Sequence, residues 1–169
     1  QDEWGFVMVE IQAGDDPGFL MKRISRGNED EFRDNEIRDE IHIRLHNEMP
    51  ETPVGIYPEG SGIDPDMLIL EANSFQDSDD DEIMAAHFRL YENCDTESTP
   101  TYDEFINREN WYYYENTQES IELTSLSISS LLNGNSVYCW QVRYRDSSLG
   151  WSAWSDPLIF ETSESQYSD

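Results

Sequence analysis

Positive charge is what this chain lacks most. It has ten basic residues, of which Lys22 is the sole lysine, against 37 acidic ones, and a net charge of −27 over 169 residues. A surface of that sign repels nucleic acid and anionic membranes, which are polyanions themselves. It suits divalent cations, basic partners or a high-salt habitat, with an acidic secreted protein as the plainer expectation. Long apolar runs are missing too. No stretch of about 18 apolar residues occurs, so no membrane-inserting helix is expected. Cysteine is scarce: Cys94 and Cys139 permit one disulfide. There is no N-x-S/T sequon. Convincing helical periodicity is absent, and Glu29–Glu40, densely charged with few apolar residues, is expected to be a long polar loop or a short surface helix. Nor is there a G-x-S-x-G elbow, a phosphate-binding loop or a Cys/His dyad at catalytic spacing. Paired carboxylates carry no catalytic information in so acidic a chain, and no enzyme is expected. The opening QDEW would suit a mature chain after removal of a leader.

What is present is alternation. Aromatic and β-branched residues take turns with polar ones through most of the sequence, the period of half-buried strands. Met49-Pro-Glu-Thr-Pro53 marks a boundary, because proline interrupts regular elements. Residues 1–49 therefore form a β-rich N-terminal extension or partial domain, residues 50–163 a β-sandwich, and residues 164–169 a tail. Strands are expected at Val54–Tyr57, Met67–Phe75, Ala85–Tyr91, Trp111–Glu115, Leu123–Ile128, Val137–Arg145 and Leu158–Thr162. In the extension they are expected at Phe6–Gln12, Gly18–Ser25 and Ile41–His46. Trp111-Tyr-Tyr-Tyr114 would bury two of its four rings and expose two.

The densest information lies in residues 137–162, VYCWQVRYRDSSLGWSAWSDPLIFET. Tyr138, Trp140, Val142 and Tyr144 point one way along a strand, and Cys139, Gln141, Arg143 and Arg145 the other. A short turn leads to Trp151-Ser-Ala-Trp-Ser155 and a last strand. The segment resembles the end of a fibronectin type III domain, and Trp151–Ser155 resembles the W-S-x-W-S box of cytokine-receptor modules and of many bacterial extracellular modules. Leu132, six residues before Tyr138, looks like the start of that fold's tyrosine corner. The second strand, running into an aspartate-rich loop, is closer to bacterial modules. The resemblance implies an all-β, seven-stranded fibronectin type III/immunoglobulin-like sandwich, an extracellular or cell-surface location and a structural role. Partners would be copies of the chain itself, other extracellular proteins or a glycan.

Four constellations stand out against that frame. In the fold so implied, Cys94 ends the third strand and Cys139 opens the sixth, its antiparallel neighbour, so a disulfide is expected between them. Arg89 shares the outward parity of Arg143 and Arg145, and with Trp151 and Trp154 these residues form a candidate Trp–Arg ladder. That ladder is either a structural cover for one sheet face or an exposed platform for a ligand such as a glycan. The acidic loop Asp77, Asp79, Asp80, Asp81 and Glu82, with Asp64 and Asp66 nearby, is either a solvated loop or a Ca²⁺ site, and no other cofactor is indicated. Phe6, Val7, Met8, Val9 and Ile11 make an apolar strand that either folds back on its own domain or adds to a neighbour's sheet, head to tail, as an assembly strand. His42 and His46 share one strand face about 13 Å apart, too far for one metal. His87 is expected alone at a surface or edge.

Overall fold

A computed structural model of the chain describes residues 3–108, 118–128 and 132–165. The chain divides into two compact units, one of residues 1–48 with the turn 147–150, the other of residues 49–146 with 151–169.

In the first unit, β1 (Trp4–Gln12), β2 (Gly18–Gly27) and β3 (Phe32–Arg44) form an antiparallel meander in the order β1-β2-β3. The turn from β2 to β3 is set by Gly27, whose φ of 89° is costly for any residue with a Cβ, and by Asn28. The Asn28 Oδ1 accepts from the backbone N–H groups of Asp30 and Glu31, both at 2.9 Å. Of Glu29–Glu40, residues 29–31 lie in this turn, and from Phe32 onward the segment is strand and not loop or helix, because β3 begins there. Its charges do not break the strand because they pair beside it. Lys22 lies directly across from Glu40 and reaches it at 3.5 Å. Arg33, buried, engages Glu31 at 3.1 Å, Glu3 at 3.6 Å and also Glu36. Cross-strand charge pairs of this kind support antiparallel ladders. The strand ends at Arg44, so His46 falls in the following turn and not on the strand.

The second unit is a two-sheet β-sandwich. Its larger sheet has the order β5-β11-β10-β7-β8, from Gly60–Ile63, Leu158–Thr162, Val137–Asp146, Ile83–Glu92 and Tyr102–Asn107. The smaller has the order β4-β6-β9, from Gly55–Tyr57, Leu68–Ala72 and Ser125–Ile128. The count differs from the expected seven: eleven strands are described, eight of them in the sandwich. The additions are β5, which pairs parallel to β11, and β8, which pairs with β7. The strand expected at Trp111–Glu115 lies outside the described residues.

Alternation builds the core as anticipated. Tyr138, Trp140, Val142 and Tyr144 of β10 are buried together with Ala86, Phe88 and Leu90 of β7 and with Leu68 and Leu70 of β6. Phe88 stacks on Trp140 at 6.2 Å between centroids, and Tyr138 on Phe160 at 5.7 Å. Each large side chain so buried contributes roughly 1.5–3 kcal/mol. The polar ends find partners. Trp140 Nε1 donates to the Pro58 carbonyl at 3.3 Å, and the Tyr144 hydroxyl to the Asn73 carbonyl at 2.8 Å. The Tyr138 hydroxyl accepts from the backbone N–H of Asn133 at 3.1 Å, tying the chain back five residues.

Candidate functional site

The site is built on the outward face of β10. There β11 pairs with β10 only over Val137–Trp140. The next stretch of β10 would expose backbone groups on that side, and Trp151–Ser155 takes them up. Ser152 donates its N–H to the Tyr144 carbonyl at 2.9 Å, and its Oγ accepts from the Tyr144 N–H at 3.0 Å. Ser155 repeats the exchange with Val142, at 2.9 and 3.0 Å. Gln141 Nε2 adds a donation to the Ser155 carbonyl at 2.7 Å. A hydroxyl is needed at both places because a buried backbone donor must be met. Ser152 and Ser155 are both buried, with Trp151 and Trp154 half-buried beside them.

Those indoles interleave with arginines from two strands. The Arg89 guanidinium lies 4.5 Å from the Trp154 ring centroid. Arg143 lies 4.5 Å from Trp154 and 4.3 Å from Trp151. Arg145 lies 5.8 Å from Trp151. The five residues singled out from the sequence are therefore brought together, in the order Arg89, Trp154, Arg143, Trp151, Arg145. Each planar cation on an indole face contributes on the order of 0.5–2 kcal/mol.

Three further residues belong to the same face. His87 is not the solitary edge residue expected. Its ring sits 4.9 Å from Trp154, 6.3 Å from Trp151 and 6.2 Å from Phe105. Arg143 Nη2 donates to His87 Nδ1 at 3.2 Å, while His87 Nε2 bonds Asp103. Accepting at Nδ1 places the proton on Nε2, which then donates to the carboxylate. Burial holds the His87 pKa below the usual imidazole range; the Asp103 carboxylate opposes that, and the charges of Arg143 and Arg89 reinforce it. Burial, with the charge of Arg89, likewise lowers the pKa of Arg143. Asp103 also lies 3.4 Å from Arg89. Phe105 packs 6.0 Å from Trp151 and 5.8 Å from Arg145. Strand parity could have found His87, since it lies two residues from Arg89 on β7 and pairs with both Arg143 and Phe105.

The expected disulfide is a correction. Cys94 and Cys139 are both free thiols. Cys139 is paired across the sheet with Tyr91, whereas Cys94 lies beyond the end of β7, in a left-handed turn with Asn93, at φ values of 54° and 57°. The turn takes Cys94 off the strand, and no S–S bond joins the two residues. Burial, with the neighbouring Cys94 thiol, pushes Cys139 up to about 12.

The acidic loop is organised by its own backbone. Asp77 Oδ1 accepts from the N–H groups of Asp79 at 2.8 Å and Asp81 at 3.4 Å, and Asp64 Oδ1 from that of Asp66 at 2.9 Å. Among the described residues no three carboxylates, imidazoles or thiols converge as metal ligands. The apolar N-terminal residues Phe6, Val7, Met8, Val9 and Ile11 are not a loose end: they lie in β1 and pair with β2 from Ile24 to Phe19.

No family model matches the chain, and no curated protein does. Among solved structures it is similar to the fibronectin(III)-like modules of Clostridium thermocellum CbhA, at 12% identity with a TM-score of 0.46. That likeness covers 90% of this chain and 65% of the other, so the chain spans just under two thirds of that structure's length.

Proposed function

We propose that the chain is a non-enzymatic structural module of an extracellular assembly such as a filament, surface layer or adhesin. The observation that carries this reading is the edge strand β1, where Val7, Val9 and Ile11 are 58%, 52% and 78% exposed and Trp4 and Phe6 are exposed beside them. A bare apolar edge is a template for pairing, and a protein that lives alone blunts it. The ladder supports the same role, since its arginines and indoles are engaged with one another as a cover for the sheet. Electron microscopy and fractionation of native material test the proposal. Ordered extracellular particles containing the chain support it; a monomer confined to the cell interior sinks it.

A second reading has its own observation. Of the four arginines in residues 49–169, three stand in the ladder, beside Phe105, which is 47% exposed. A cationic aromatic strip on an acidic body is a recognition surface for a glycan or a protein. A monodisperse chain that binds a glycan array, and loses that binding in Phe105→Ala, favours this reading over assembly.

A further inference from the structure

The two edges of the β1-β2-β3 sheet are treated in opposite ways. β3 carries Arg33, Asp34, Glu36, Arg38, Asp39, Glu40 and Arg44 within its 13 residues, shows two register irregularities against β2, and has Asn35 at a φ of 54°. Charges and bulges are the usual devices that keep an edge from pairing. β1 has neither lysine nor proline, and Glu10 is its sole charge in nine residues. The other edge strands among the described residues, β4, β5, β8 and β9, are three to six residues long.

We infer that β1 pairs with β1 of a second copy, antiparallel about a two-fold axis, to give a six-stranded sheet in the order β3-β2-β1-β1-β2-β3. This rests on the assembly reading and names its partner and symmetry. Charge selects the partner's approach. Two chains of net charge −27 repel wherever carboxylates are dense, and β1 is the long edge where they are sparse. Geometry makes β1 complementary to itself. A two-fold axis normal to the sheet sets residues of the same parity opposite one another. Val7, Val9 and Ile11 then meet the same row on one face, and Trp4, Phe6 and Met8 meet theirs on the other. Centring the axis on Val9 places Ile11 opposite Val7 and sets Glu10 against Met8, so the two Glu10 carboxylates are not directly paired. Among the described residues the defended β3 edge offers β1 no second site in this sheet, so the contact closes as a dimer, and a larger assembly would join such dimers through other surfaces. Head-to-tail addition, one of the two alternatives the sequence leaves open, would need β1 to meet a receptive edge elsewhere.

Sedimentation velocity of the full chain over a wide concentration range tests the pairing, at about 0.3 M NaCl to screen long-range repulsion. The expected result is a concentration-dependent species of twice the 19.7 kDa chain mass. Val7→Lys with Val9→Lys, both at exposed positions, should weaken dimerisation at least tenfold while leaving the far-ultraviolet circular dichroism unchanged. Val9→Cys should cross-link to its own copy under mild oxidation, and Ile37→Cys on β3 should not. A monomer at every concentration overturns the inference, as does a dimer indifferent to the double lysine variant or cross-linking equally at Ile37→Cys. A monomer in solution found in ordered extracellular particles removes the β1 pairing and leaves the assembly reading intact. A dimer found only inside cells does the reverse.

Discussion

His87 shows how much one side chain can depend on its neighbours. Its Nδ1 must accept from Arg143 while its Nε2–H faces Asp103, so only the neutral ring satisfies both partners. Protonation would turn Nδ1 into a donor aimed at a guanidinium. The folded pKa is lowered from the ordinary 6.5, so the unfolded chain binds the proton more readily. Its stabilisation is then complete above about pH 6.5 and is lost as pH falls through the folded value. The melting temperature of the wild type should fall across that acid window more steeply than that of His87→Gln, with the carboxylates contributing equally to both curves. Parallel curves would show that the ring titrates without consequence. The thiols give a second prediction at this scale. Denatured, unreduced protein should titrate two free thiols, and in the native state Cys94 should alkylate well before Cys139, whose buried thiol resists ionisation. A blocked pair in the denatured protein would refute this.

At the scale of elements, the Trp151–Ser155 segment behaves as a side-chain extension of the sheet. Each serine replaces one rung that β11 does not supply to β10. Ser155→Ala should leave the buried Val142 N–H without its acceptor and destabilise the fold by about 1–3 kcal/mol. Ser98→Ala, in an exposed turn, should change stability by about 0.5 kcal/mol or less. Denaturant titration of both variants checks the contrast, and equal midpoints would mean that the hydroxyls are incidental. That role was not legible beforehand: the serines were visible as part of a motif, but nothing in their spacing says which backbone groups they meet. The long strands were legible because alternation survives in them, as in Tyr138 to Tyr144. By contrast β5 reads Gly-Ser-Gly-Ile and β8 mixes Asp and Glu with its aromatics, so neither carries a clean period. β3 was hidden by its charges, which pair laterally and leave the backbone free to join β2. The arginines of the ladder were legible from strand parity and its tryptophans from the Trp151–Ser155 motif. Its histidine was missed because it was weighed as an isolated ligand instead of by the row it occupies.

For the whole molecule, charge is the dominant long-range force. Residues 49–169 hold 24 acidic residues and four arginines, three of them committed to the ladder, so negative charge there outnumbers positive by six to one. Self-repulsion of this kind weakens the compact state and is relieved by any electrolyte. The melting temperature should therefore climb as NaCl rises from about 0.05 to 1 M, over which the screening length falls from more than 10 Å to about 3 Å. The acidic loop decides whether calcium does something more. Asp77 Oδ1 is committed to the N–H groups of Asp79 and Asp81, so that oxygen is taken up by the turn itself. A specific site would have to break that turn or recruit other oxygens. Millimolar CaCl₂ should accordingly raise the melting temperature no more than MgCl₂ at matched ionic strength, and Asp79→Asn with Asp81→Asn should respond as the wild type does. A rise specific to Ca²⁺ that vanishes in the double variant would make the loop a cation site, and the acidity of the chain would then reflect binding as well as habitat.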